Sequence, residues 1–176
     1  MTHEIILAGF GGQGILSSGK MLAQAGMAEG KNVSWLPSYG PEMRGGTANC
    51  CVVISDEPVG SPILNSADVV MAMNRPSMEK FESYLVPGGV LIYDNSIITV
   101  KPQRADIKAF GIPATQMASD MGNQTFAGII LLGKIIAESK AITEQGFETA
   151  LNMVLKEKYK KLIPEEMKAL RAGMEY

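Results

Sequence analysis

Gly9, Gly11 and Gly14 stand in Gly9-Phe10-Gly11-Gly12-Gln13-Gly14 at the spacing GxGxxG. An apolar run, Glu4–Ala8, precedes them. Ile15, Leu16, Gly19, Leu22, Ala23 and Gly26 follow at helical spacing. A strand, a glycine loop and a helix start in that order present free backbone N–H groups and the positive end of a helix dipole. That combination favours an anionic group. Gly9 is expected to permit the tight turn, and Gly11 to let a ligand or another backbone approach closely. Gly9, Gly11, Gly12, Gln13 and Gly14 are therefore candidate binding residues. The bland alternative is that the glycines only let strand and helix pack. A nicotinamide dinucleotide site would add a carboxylate roughly 20 residues further on, at the end of the second strand. Asn32–Pro37 holds neither Asp nor Glu, so NAD is disfavoured. No Gly-Lys-Ser/Thr follows the loop, so it is not a P-loop.

A second segment, Ser38–Thr47, is dense in turn formers: Gly40-Pro41 and Gly45-Gly46 flank one acid, Glu42, and one base, Arg44. A guanidinium there can clamp a carboxylate or phosphate bidentately. Arg44, Gly45 and Gly46 join the candidate binding residues, against the alternative of a Glu42–Arg44 surface pair. Loops at the C-terminal ends of parallel strands form the usual ligand crevice, which favours the binding role.

The remaining reactive residues offer less. His3, the only histidine, stands near the start of the chain and supports no His–Cys or His–Ser pair. Cys50 and Cys51 are adjacent, so in a strand they point to opposite faces and are not expected to form a disulfide. No CxxC is present, and neither an iron–sulfur cluster nor a zinc site is expected from this chain alone. No catalytic residue and no metal ligand is assigned. Asp94-Asn95 and Asn74-Arg75-Pro76 end strands; a turn and a helix start explain them. Met71, Met73, Met117 and Met121 read as core or interface packing.

The net charge of the 176 residues is -2. Lys156, Lys158, Lys160 and Lys161 are interrupted by Glu157 and read as a solvated helix face rather than a nucleic-acid patch. No apolar stretch reaches the roughly 18 residues of a membrane span. No leader is recognised at the start, and free thiols fit a reducing, cytoplasmic setting.

The elements that must position these loops alternate. Strands are expected at Glu4–Ala8, Val33–Leu36, Thr47–Ser55, Ala67–Met73, Val90–Asp94 and Ile107–Gly111. Helices are expected from the glycine loop to Glu29 and over Pro76–Tyr84, Asn123–Ser139, Thr143–Lys156 and Pro164–Ala172. Pro87-Gly88-Gly89 reads as a turn. Gly128 and Gly133 in the apolar helix suggest a close neighbour. The pattern predicts a single α/β domain over 1–176. It is three-layered αβα, with a mostly parallel sheet and one antiparallel pair, the second and third strands, which no helix separates.

Gly9–Gly14 paired with Tyr39-Gly40-Pro41-Glu42-Met43-Arg44-Gly45-Gly46 resembles the gamma subunits of 2-oxoacid:ferredoxin oxidoreductases, the pyruvate, 2-oxoglutarate and 2-ketoisovalerate enzymes. The likeness continues through Asp68–Asn74, Gly88–Asn95 and the helix holding Leu132-Gly133. The resemblance implies oxidative decarboxylation of a 2-oxoacid to an acyl-coenzyme A. Thiamine diphosphate and iron–sulfur clusters would then sit in partner subunits, with this chain on the coenzyme A side of a composite site. It implies alpha, beta and ferredoxin-like delta partners, a homodimer when the chain is isolated, and no activity alone. Gly128 departs from the family, where an Asn is common. Two alternatives stay open: a stand-alone nucleotide- or phosphate-binding module, and the small subunit of an indolepyruvate-type oxidoreductase.

Overall fold

The computed structural model describes residues 1–38 and 47–176. Six strands form one sheet in the order β2-β3-β1-β4-β5-β6. They are β1 (Thr2–Phe10), β2 (Asn32–Ser38), β3 (Thr47–Ser55), β4 (Ala67–Ala72), β5 (Leu85–Asp94) and β6 (Lys108–Ile112). The helices are α1 (Ile15–Ala28), α2 (Arg75–Phe81), α3 (Ala114–Asp120), α4 (Phe126–Ser139), α5 (Glu144–Val154) and α6 (Ile163–Glu175), with 3₁₀ turns at Glu82–Tyr84 and Glu157–Leu162.

Strand β3 runs antiparallel to both of its neighbours, pairing Phe10 with Thr47 and Ser38 with Asn49. The ladders β1–β4, β4–β5 and β5–β6 are parallel. The sheet is mostly parallel, as expected, but the antiparallel relation is shared by two ladders. Strands β1 and β2 are not side by side, because β3 lies between them.

Side chains alternate across the sheet. Ile5, Leu7, Cys50, Val52, Val69, Met71 and Ile92 face α1, α3, α4, α5 and α6. Ile6, Ala8, Val53, Val70, Ala72 and Leu91 face α2, the first 3₁₀ turn and the connecting segments. Both faces are covered, one much more thickly. Helix α4 is buried along most of its length. Its Gly133 packs against the Leu170 carbonyl of α6, and Gly173 of α6 packs against the Ile130 carbonyl of α4, with no room for a Cβ on either glycine. The close neighbour expected for Gly133 is therefore α6.

Three local expectations change. Pro87-Gly88-Gly89 is not a turn between elements. It lies inside β5, at an irregularity between the pairs Ala67–Leu85 and Val69–Val90. The Gly88 N–H donates to the Asp106 carbonyl at 2.7 Å. Helix α5 stops at Val154, so the lysines expected on its face sit on and beside a 3₁₀ turn. Helix α3 is an element the pattern did not announce. The expected cap at Thr143 is present: its hydroxyl accepts from the Gly146 N–H at 3.0 Å.

Candidate functional site

Phe10 ends β1, and Gly11–Gly14 turn the chain into α1. Gly12 (φ 93°) and Gly14 (φ 74°) adopt the left-handed conformation that glycine tolerates best. Gly14 is the N-cap of α1 and supplies no capping side chain. The first intrahelical bond runs from Ser18 N–H to the Gly14 carbonyl. The N–H groups of the preceding turn are the orphan donors of a helix start.

Gln13 organises the loop. Its Oε1 accepts the Phe10 N–H at 2.6 Å, and its Nε2 donates to the Met73 carbonyl at 3.0 Å. Gly9 serves this arrangement rather than the turn itself. It lies within β1, and a Cβ there would come within 2.6 Å of Gln13 Oε1 and 2.9 Å of Ile15 Cδ1.

Two clefts open beside the loop, and a third cavity, lined by Gln13, Gly14, Ser17 and Glu166 among others, adjoins it. One, of about 380 Å³, lies between Gly12–Gly14, Met73, Ile97, Thr115 and Gln124-Thr125. The other, of about 300 Å³, lies between Phe10–Gly12, Gly14–Ser17 and Ala48. Both open at the C-terminal edge of the parallel strands. The chain leaves β1 toward β2 on one side and leaves β4 toward β5 on the other. The loop thus sits where the strand order reverses, the usual position of a ligand crevice in such sheets. Among the described residues, no Asp, Glu, Lys, Arg or His lines either cleft.

The walls opposite the glycine loop are built by Asp94. This buried carboxylate ends β5. Its Oδ1 accepts from the Ser96 N–H at 3.0 Å, and its Oδ2 accepts from Thr115 N–H at 3.1 Å and from the Thr115 hydroxyl at 2.5 Å. Asp94 therefore holds the turn and the start of α3. Asn74 plays a related part, accepting the Ser77 N–H at 2.8 Å to cap α2, while Arg75 is engaged with Glu79 at 2.6 Å. Thr125, held by Asn123 Oδ1, brings the start of α4 to the same cleft. Sequence reasoning passed over Thr115, Gln124 and Thr125. The available signal was that each stands at a helix start downstream of a strand.

Gly9, Gly11, Gly12, Gln13 and Gly14 fall together at this edge. Arg44, Gly45 and Gly46 lie outside the described residues, as does Glu42. The ends of their segment are described. Ser38 and Thr47 stand at the edge where β1 ends, and Thr47 pairs with Phe10. His3 is buried at the opposite end of the sheet. Burial lowers its pKa, with Lys31 adding to the effect. Cys50 is buried and its thiol is pushed up to about 12 by burial. No cluster of His, Cys, Asp and Glu suited to a metal occurs among the described residues. No helix among them is long and apolar enough to cross a membrane.

The α/β layering and the strand order define a domain of the doubly wound type. The family model for pyruvate ferredoxin/flavodoxin oxidoreductase matches residues 4–176, and the chain belongs to that family. It is 40% identical over 174 residues to ketoisovalerate oxidoreductase subunit VorA of Methanothermobacter thermautotrophicus, covering 98% of this chain and 36% of that protein. It is 33% identical over 154 residues to 2-oxoglutarate synthase subunit KorC of Methanocaldococcus jannaschii, covering 86% and 82%. The chain thus spans about a third of the VorA proteins and most of the KorC protein. Its fold matches the gamma subunit of a keto/oxoacid ferredoxin oxidoreductase from Geobacter sulfurreducens with a TM-score of 0.86 and 29% identity, covering 99% of this chain and 95% of that one. It also matches 2-oxoglutarate:ferredoxin oxidoreductase from Magnetococcus marinus, solved with 2-oxoglutarate, coenzyme A and succinyl-CoA bound. That match has a TM-score of 0.86 and 26% identity, covering 98% of this chain and 30% of that one.

Proposed function

We propose that this chain is the gamma-type part of a multi-subunit 2-oxoacid:ferredoxin oxidoreductase, and that its glycine crevice holds an anionic group of coenzyme A. The observation that carries this reading is the convergence of two fourteen-residue helices, α1 and α4, whose starts line one cleft. Two positive helix ends aimed at a cleft with no acidic side chain among its described lining favour a phosphate. The N–H groups of Ile15, Leu16 and Ser17 are the donors, and Arg44 supplies a guanidinium. Thiamine diphosphate and the iron–sulfur clusters belong to alpha, beta and delta partner subunits. They supply decarboxylation and electron transfer; this chain binds and orients the acyl acceptor and does not turn over alone. The solved relative with coenzyme A and succinyl-CoA bound supports the reading.

The test is calorimetric titration of the assembled complex with coenzyme A and with 3′-dephospho-coenzyme A. It is paired with hydrogen exchange over Phe10–Ser18. Coenzyme A is expected to slow exchange at Ile15–Ser17. Unchanged exchange there at saturation would remove the glycine crevice from the coenzyme A site.

A further inference from the structure

The Thr115 hydroxyl gives its only proton to a buried carboxylate. It donates to Asp94 Oδ2 at 2.5 Å, and Asp94 is 0% exposed. The Thr125 hydroxyl is committed in the same way, donating to Asn123 Oδ1 at 2.6 Å. Neither acceptor has a proton to return. A carboxylate carries none, and Asn123 Oδ1 also takes the Thr125 N–H at 3.0 Å, as only the amide oxygen does. A threonine hydroxyl has one proton and two lone-pair sites. With the proton spent, each of these oxygens can only accept.

Both threonines line the cleft of about 380 Å³ beside the glycine loop. Its two sides therefore differ in hydrogen-bonding character. On one side the first turn of α1 offers unpaired backbone N–H donors. On the other stand two hydroxyl oxygens that accept, with the Asp94 carboxylate behind Thr115. A phosphate turned toward the threonines would meet lone pairs and a buried negative charge. A phosphate turned toward α1 meets donors, and the threonine oxygens are left for a second group of the same ligand. That group is a donor, because a site acceptor left unpaired costs affinity. An ammonium is disfavoured. Among the described residues no carboxylate lines the cleft, and Asp94 already accepts from Ser96 and twice from Thr115. Thr115 is half-buried and Thr125 exposed. Water replaces a lost bond at Thr125 more readily, so Thr115 is the position that discriminates.

We propose that this cleft selects a phosphate ester carrying a hydroxyl close to its phosphate, with the phosphate at the start of α1 and the hydroxyl donating to Thr115. Thr115 is then a specificity-determining residue, supported by Thr125. Asp94 and Asn123 are positioning residues that fix where the threonine protons point. The proposal rests on the coenzyme A reading of the crevice. Coenzyme A carries such a hydroxyl in two places: the ribose 2′-hydroxyl beside the 3′-phosphate, and the pantoyl hydroxyl beyond the diphosphate.

Calorimetric titration of the assembled complex with coenzyme A, 2′-deoxy-coenzyme A and the analogue lacking the pantoyl hydroxyl tests it. At least one deoxy compound is expected to bind about fivefold or more weakly than coenzyme A, and which one does so identifies the hydroxyl. Thr115→Val is expected to weaken coenzyme A by a similar factor and to erase its advantage over that deoxy compound. Thr115→Ser, which keeps the hydroxyl, is expected to restore both. A Thr115→Val complex that binds all three compounds more weakly with their ratios intact would make Thr115 merely structural and overturn the proposal. Equal binding of all three by the wild-type complex would also overturn it, and that measurement needs no variant to fold. Hydrogen exchange over Ile15–Ser17 separates the two readings. Protection there by coenzyme A, with equal binding of the three compounds, defeats the hydroxyl selection and leaves the coenzyme A crevice standing. No protection at saturation defeats both.

Discussion

Gln13 reaches from the glycine loop to the end of β4 and donates its amide N–H to the Met73 carbonyl at 3.0 Å. The other end of the same amide accepts the Phe10 N–H. One side chain therefore ties the loop after β1 to the strand on the far side of the crevice. The width of the cleft depends on a group that is both donor and acceptor, and only an amide of this length supplies both without charge.

Gln13→Glu keeps an acceptor for Phe10 but loses the donor to Met73 and adds a negative charge beside the start of α1. Gln13→Ala loses both bonds and adds none. Each is expected to cost about 1–2 kcal/mol of stability in denaturant unfolding, the range for one or two hydrogen bonds of which the one to Met73 is part-buried. Their effects on the assembled enzyme should diverge. The KM for coenzyme A should rise more for Gln13→Glu than for Gln13→Ala, because a fixed anion repels phosphate. Equal KM values would show that no anion binds beside Gln13.

The contact between α4 and α6 depends on two glycines facing carbonyls. Gly133→Ala and Gly173→Ala each push a methyl into backbone, at Leu170 and at Ile130, which cannot rotate aside. Each is expected to destabilise by about 2–3 kcal/mol, within the usual range for overpacking. Gly128→Ala meets only the Ser18 hydroxyl, at 2.7 Å. A rotamer change relieves that contact, so the variant should fall short of the other two. Urea midpoints for the three variants check the order; a Gly128→Ala as damaging as Gly173→Ala would refute it.

Much of this arrangement could be read in the residues, and the reason differs from place to place. Thr47–Ser55 has the bounds expected because its β-branched and apolar run is broken only by Asn49 and turn formers stand on both sides. The start of α5 was legible in Thr143 and Glu144, since a cap is a local device. Strand β5 was read short because Pro87, Gly88 and Gly89 look like a turn. They are instead accommodated by an irregularity that only pairing with β4 reveals. Helix α3 was missed because Asp94, 21 residues before Thr115 in sequence, holds its start. The crevice was half legible for the same reason. The glycine loop is contiguous, whereas Thr115 and Thr125 are brought to it by the order of strands, and no local pattern encodes that β3 separates β1 from β2.

Cys50 gives the stability curve an alkaline limb. Burial raises its thiol from the ordinary 9.0 to about 12. The unfolded chain releases this proton at lower pH than the folded chain. Between about 9 and about 12 the unfolded state therefore binds fewer protons, and stability falls as pH rises. Below 9 the thiol is neutral in both states and contributes no slope. The expected loss is about 1.4 kcal/mol per pH unit within the window. Cys50→Ala should flatten that limb while lowering stability at pH 7 through the space it leaves. Thermal unfolding from pH 7 to 11 measures both, and an identical slope in the variant would rule out Cys50 as its source. The same burial predicts slow alkylation of Cys50 in the folded chain at pH 8.

Arg44 carries the last expectation. Strands β1 and β2 are each antiparallel to β3, so they run parallel to one another and end at one edge of the sheet. The chain leaves that edge at Ser38 and returns at Thr47, the partner of Phe10, with Arg44 three residues before Thr47 in sequence. The clefts beside the glycine loop have no basic side chain among their described lining. A phosphate held there, as proposed, would gain its cationic partner from this segment or from another subunit. Charge-assisted hydrogen bonds from a guanidinium contribute roughly 1.5–3 kcal/mol each. Arg44→Ala is therefore expected to raise the KM for coenzyme A in the assembled enzyme about tenfold or more, since ~1.4 kcal/mol corresponds to one decade. The midpoint of unfolding should barely move. Arg44→Lys should recover only part of the loss, because an ammonium cannot make the bidentate fork. Steady-state kinetics with coenzyme A varied at saturating 2-oxoacid separates the cases. Loss of assembly with unchanged coenzyme A kinetics in the remaining complex would make Arg44 an interface residue and overturn the proposed anion-holding role.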